Sequence, residues 1–198
     1  MKNRLTAVAL CLLAVPAFAQ DKPKEPATHA MNPAEMEAMT KAMTPGEPHK
    51  HLARRAGDWT FTSKMWMDPS QPPLDSNGTM HGEMVMGGRY LEAQWKGNMM
   101  GQAFEGRATE GYDNLTKQYV SSWIDNMATG VMYSTGTCDE KGVKCSMKGD
   151  MMDPMTGKES YMRSELTWVD DNTFRSEMYG PGPDGKEFKW MEFVVKRK

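Results

Sequence analysis

The sequence predicts an all-β protein, an antiparallel up-and-down β-barrel of about ten strands preceded by one helix. Three observations carry this. From Gly57 onward, apolar and polar residues alternate with a period of two. Turn-forming pairs then recur at short intervals: Gly87-Gly88, Gly97-Asn98, Asp113-Asn114, Asp125-Asn126, Lys141-Gly142, Asp171-Asn172 and Asp184-Gly185. The connections are too short for crossovers, so sequential strands pair antiparallel. A meander of this length removes its two edges by closing on itself.

The elements follow in order. Residues 1–19 have the form of a secretory signal. Lys2 and Arg4 are followed by an apolar run too short to span a bilayer, then by the small-x-small site Ala17-Phe18-Ala19. Export to the periplasm or beyond is the expectation. Residues 20–31 form a Pro- and charge-rich leader. Residues 32–47 hold a Met-rich helix and linker. Asn32 is its expected N-cap, Pro33 its first residue, and Glu35 closes a capping box. Met36, Met39 and Met43 share a face, which reads as a packing face. A short helical turn around 48–55, with Leu52 inward, leads into the barrel domain, 48–198.

Strands are expected at about 58–67, 78–86, 89–97, 102–112, 117–125, 129–138, 143–152, 158–169, 172–180 and 187–197. A loop from Pro69 to Gly78 joins the first two. Alternation places Trp59, Phe61 and Ser63 on one face of the first strand, and Tyr119, Ser121, Trp123 and Asp125 on one face of the fifth. Tyr161, Arg163 and Glu165 share a face of the eighth, and Glu177 lies on the ninth. Which of those two faces points inward is open, because a one-residue slip exchanges them. Leu, Ile and Val are scarce in these strands, and Met and aromatic residues carry the apolar load. That composition suits a barrel enclosing a cavity better than a dry sandwich.

Cys138 and Cys145 flank the Lys141-Gly142 turn and face each other across a hairpin, within disulfide reach. Bridging is expected in an exported chain.

The function classes narrow in parallel. The formal net charge is −2, which gives no basic footprint for nucleic acid. Beyond the signal there is no apolar run long enough for a membrane span. Gly-x-Ser-x-Gly, His-Glu-x-x-His and phosphate-binding loops are absent, so no catalytic residue and no cofactor is assigned. His49 and His51 read as solvated loop residues. The leading expectation is non-catalytic binding of a small, mostly apolar molecule. Trp59, Tyr119 and Trp123 would wall the pocket, with Arg163, Glu165 and Glu177 as polar contacts if their faces point inward. The alternative rests on the 21 methionines. Thioethers suit Cu(I) or Ag(I), or absorb oxidants as sulfoxide, and Met151, Met152 and Met155 form the best candidate cluster.

Several segments also resemble one bacterial family in the right order. They are HKHLARRAGDW at 49–59, GYDN at 111–114, YVSSWIDNMATG at 119–130, DPMTGK at 153–158 and PDGKEFKWMEFVVKRK at 183–198. The family is the domain of unknown function numbered fifteen-seventy-nine. The resemblance implies a calycin-type barrel, similar to lipocalins and fatty-acid-binding proteins. Gly57-Asp58-Trp59 is similar to the Gly-x-Trp that opens a lipocalin barrel. There the tryptophan packs at the closed end under a basic residue of the last strand. Arg197 is the matching candidate, with Lys196 as the other choice.

Overall fold

The computed structural model describes residues 31–153, 156–182 and 184–198. The signal segment, nearly all of the leader and Met155 lie outside the described residues. Two helices, α1 (Pro33–Met43) and α2 (Glu47–Ala53), precede ten strands. These are β1 (Gly57–Met65), β2 (Leu74–Val85), β3 (Tyr90–Met99), β4 (Gln102–Asp113) and β5 (Gln118–Asp125), followed by β6 (Met132–Cys138), β7 (Lys144–Met152), β8 (Glu159–Asp170), β9 (Thr173–Pro181) and β10 (Glu187–Arg197). Each strand pairs with its sequence neighbours, and β1 pairs antiparallel with β10, so the barrel is closed. Closure leaves no edge strand exposed.

Two turns differ from expectation. β2 begins at Leu74, inside the stretch expected to be loop. The β3–β4 turn falls at Met100-Gly101, with φ of 52° and 78°, and not at Gly97-Asn98. Successive positive φ values match the right-handed twist of a hairpin. Methionine seldom adopts that conformation, so composition pointed to the wrong dipeptide.

Trp59, Phe61 and Ser63 of β1 face inward as expected, at 5% exposure or less. Leu91 and Ala93 of β3 do the same. On β10, Met191, Phe193 and Val195 point in. A bulge between Lys189 and Met191 turns Trp190 inward as well.

The two ends of the barrel are built differently. At the end where β1 starts, Trp59 is fully buried, with ring centroids 5.4 Å from Phe174 and 6.0 Å from Trp168. Its indole Nε1 donates to the Arg55 carbonyl at 3.0 Å. The Arg197 guanidinium lies 4.0 Å over the Trp59 ring and donates to the carbonyls of Ala56 and Arg54. The basic cover over the tryptophan is therefore Arg197, which register places directly opposite Trp59. α2 closes this end, packing on β2, β3 and β4 with Leu52 against Leu91 and Tyr119.

α1 has the expected cap: Glu35 N donates to Asn32 Oδ1 at 3.0 Å, and Asn32 N to Glu35 Oε2 at 2.8 Å. Its methionine face, however, is not a packing face. Met36, Met39 and Met43 are 55%, 47% and 56% exposed. Hydrogen bonds hold the helix end instead. Asn114 Nδ2 donates to the carbonyls of Ala42 and Thr44, and the Arg89 guanidinium to that of Met43.

Candidate functional site: the barrel cavity

The other end opens into a cavity of about 1330 Å³. That exceeds the roughly 300–1,000 Å³ of ordinary small-molecule pockets. Its wall is built from the inward alternate residues of most strands. Ten methionines line it: Met65, Met99, Met127, Met132, Met147, Met151, Met152, Met162, Met178 and Met191. Met65, Met191 and Met178 are direct cross-strand partners on β1, β10 and β9. Aromatic rings complete the wall, among them Trp95, Phe104, Trp123 and Trp190.

Trp123 is positioned by three contacts. Its Nε1 donates to Asp125 Oδ2 at 2.7 Å. Its ring stacks on Phe104 at 6.3 Å. It also lies over Gly106, where an added Cβ would come within 2.4 Å of the indole. Glycine at 106 therefore clears the space the ring fills. Asp125 caps the β5–β6 turn, its Oδ1 accepting from the amides of Met127 and Ala128. The loop from Met127 to Val131 forms part of the exposed rim.

At the floor, the Tyr119 hydroxyl lies 3.0 Å from His51 Nδ1 and 3.4 Å from the Pro48 carbonyl oxygen. Burial is the main reason the Tyr119 phenol is pushed up to about 12. His51 packs on Gly142, whose φ of +62° and missing Cβ make room for the imidazole. Arg55 forks onto Glu110, with Nη1–Oε1 at 2.8 Å and Nη2–Oε2 at 2.5 Å. His51, Arg55 and Glu110 all line the cavity, and the sequence reading named none of the three as a site residue. Their only signal was the position of His51 and Arg55 just before β1, in a segment that closes one barrel end. His49 is not solvated either: it is buried, edge-on to Tyr112 at 5.9 Å, and accepts from Gly46 N. Burial lowers its pKa, which favours the neutral ring.

The site residues read from sequence thus separate. Tyr119 and Trp123 line the cavity. Trp59 is buried beneath it and is part of the floor's core. Arg163, Glu165 and Glu177 lie outside. On β8 the cavity is lined by Ser160, Met162, Ser164 and Leu166, and on β9 by Ser176 and Met178. The alternate residues, including those three, face solvent. Glu165 and Glu177 oppose each other across the β8–β9 ladder. Two cations offset that repulsion. Arg163 pairs with Glu165 and Glu187, and Lys189 pairs with Glu177 and Glu192. The Lys189 bond lowers the Glu177 pKa, as Arg163 lowers that of Glu187. This is an outer-wall charge network and not a set of ligand contacts.

Met151 and Met152 are successive on β7, so their side chains leave opposite faces of the strand, with Met152 57% exposed at the rim. Among the described residues, no three His, Cys, Asp or Glu side chains are grouped to hold a metal ion. Cys138 and Cys145 are joined by a disulfide at the floor end, in the expected register. The intervening turn is wider than two residues. Asp139 N donates to the Lys144 carbonyl, and the Asp139 carboxylate accepts from the amides of Val143 and Lys144. No described helix is long and apolar enough to cross a membrane.

Architecture and cavity define a closed, ten-stranded antiparallel barrel that encloses a cavity. The profile of the family described as "Protein of unknown function (DUF1579)" matches residues 44–197, and the chain belongs to that family. Among solved structures it is similar to Rv2717c from M. tuberculosis at 11% identity and a TM-score of 0.58. That match covers 78% of this chain and 99% of the other, and it supports the fold alone. A redesigned β-barrel aligns with a TM-score of 0.39 at 16% identity, over 75% of this chain and 95% of the other. No curated protein matches the chain.

Proposed function

We propose that the protein is a non-catalytic binding protein for a small, mostly apolar molecule held inside the barrel. One observation carries the reading: a cavity of about 1330 Å³ walled by methionine and aromatic side chains. Unbranched thioether side chains adapt to irregular apolar shapes, so a methionine wall tolerates a flexible ligand. Tyr119 and Trp123 stand on that wall and would contact it. The reading includes action outside the inner membrane. The signal-like residues 1–19 and the Cys138–Cys145 bridge support that part. Native mass spectrometry of freshly purified protein tests the binding proposal. The expected result is a released adduct, or uptake of an added apolar probe that quenches Trp123. A barrel that takes up no apolar molecule ends the proposal.

A second reading is favoured by one specific observation, the gathering of ten methionines around one cavity and its rim. The cavity would hold Cu(I) or Ag(I) through thioethers, or the exposed methionines would consume oxidants. Cu(I) titration against a competing chelator decides the metal version. Unchanged affinity after Met151, Met152 and Met155 are replaced by Leu removes that cluster.

A further inference from the structure

The polar groups near the cavity floor form an ordered row, and the inference drawn from it rests on the apolar-ligand reading above. Glu110 of β4 is the direct cross-strand partner of Ser121 on β5, and Ser121 of Ser134 on β6. All three line the cavity. Directly opposed residues hold their Cβ atoms about 4.5–5.5 Å apart, so the three side chains form one continuous polar strip. Leu91 on β3 bounds it, and Tyr119 lies one inward step deeper on β5.

The charges at this strip are already matched. Both oxygens of Glu110 accept from the Arg55 guanidinium. Four carboxylates line the whole cavity, Glu110, Asp125, Asp150 and Glu159, against the single guanidinium of Arg55. An anionic head group would have to displace Glu110 from Arg55 or sit among carboxylates. A cationic one would meet Arg55 at the floor. The hydroxyls of Ser121 and Ser134 are different: among the described residues neither makes a hydrogen bond. Ser134 is nonetheless only 8% exposed. Among the described residues no buried side-chain polar atom lacks a partner, so these hydroxyls open into the cavity, where each can donate one bond and accept two.

We infer that the Glu110–Ser121–Ser134 strip binds the head group of an uncharged amphiphile, an acyl chain ending in hydroxyl or ester groups. The head sits inward at the floor and the chain runs toward the methionine and tryptophan wall of the mouth. Serine hydroxyls donate to an ester carbonyl and accept from a hydroxyl, and a neutral head leaves the Arg55–Glu110 pair intact.

Displacement of Nile red, a neutral apolar dye, from the purified protein tests this with three ligands of one chain length: monolauroylglycerol, laurate and dodecyltrimethylammonium. Monolauroylglycerol should displace the dye at concentrations about tenfold lower than either ion. The double variant Ser121→Ala, Ser134→Ala should weaken monolauroylglycerol by about tenfold relative to laurate, each read against the Nile red affinity measured for that same variant. Laurate or the cation binding as tightly as the neutral lipid overturns the inference. So does a double variant that binds monolauroylglycerol like the parent. If Nile red itself does not bind, the apolar-ligand reading falls, and this inference with it.

Discussion

The floor and the mouth of the barrel use aromatic residues in opposite ways. At the floor, Trp59 packs edge to face on Trp168 and Phe174, those two rings tilt against each other, and all three are almost fully buried. Arg197 and Arg54 lie over the two tryptophan rings, 4.0 Å away in each case. The Cys138–Cys145 bridge and α2 tie the same end. At the mouth, Trp123 is held by a single carboxylate and a stacked phenylalanine, and it remains partly open. Methionines and an exposed loop surround it. Interlocked rings with fixed partners make a rigid plug. Thioethers with several rotatable bonds make a wall that reshapes at small cost. The rigid core and the adaptable cavity wall thus lie at different ends of one sheet, and the proposed binding falls to the second.

That division can be broken by substitution. The largest effect should come from Trp59→Ala, which empties the plug and should cost about 3–5 kcal/mol in urea unfolding. Next comes the bridge: reduction, or Cys138→Ser with Cys145→Ser, should lower stability by about 2.5 kcal/mol, read as a fall in melting temperature. Tyr119 gives a pH test. Its folded pKa is raised above 10, so its contribution is complete below that value and is lost as pH climbs toward about 12. The loss is on the order of 2 kcal/mol, and Tyr119→Phe should flatten the alkaline limb of the stability profile. The smallest change belongs to the mouth. Met127→Ser and Met152→Ser should move stability by less than about 0.5 kcal/mol while weakening uptake of an apolar dye. Mouth variants that destabilise as much as Trp59→Ala would erase the distinction.

The strand count was readable because most turns carry their own chemistry. Asp113 accepts from the Leu115 amide and the Thr116 hydroxyl, and Asp125 accepts from two amides of the next turn. Such bonds are local, so local sequence encodes them. The inner face of β1 was readable too, because its outward residues Asp58, Thr60, Thr62 and Lys64 are plainly polar. On β5 the outward Val120 and Ile124 are apolar, and only the shared face of Tyr119 and Trp123 could be read. The inner face of β8 was not readable. Its inward set holds Ser160 and Ser164, and its outward set holds Tyr161, so neither face is cleanly apolar. Arg163, Glu165 and Glu177 therefore appeared as site candidates although they face solvent. The α1 methionines misled for a related reason: helical spacing shows that they share a face but not whether anything covers it.

Sequence alone determined the capped first helix, the ten strands, their antiparallel order and the Cys138–Cys145 register, since each depends on residues close together in the chain. Only the tertiary structure decided which side of β8 and β9 looks inward. It also brought Arg55 to Glu110 and His51 to Tyr119, contacts spanning 55 and 68 residues of sequence. Those pairings require closure of the barrel and docking of α2 against its floor, and no local pattern encodes the meeting of segments so far apart.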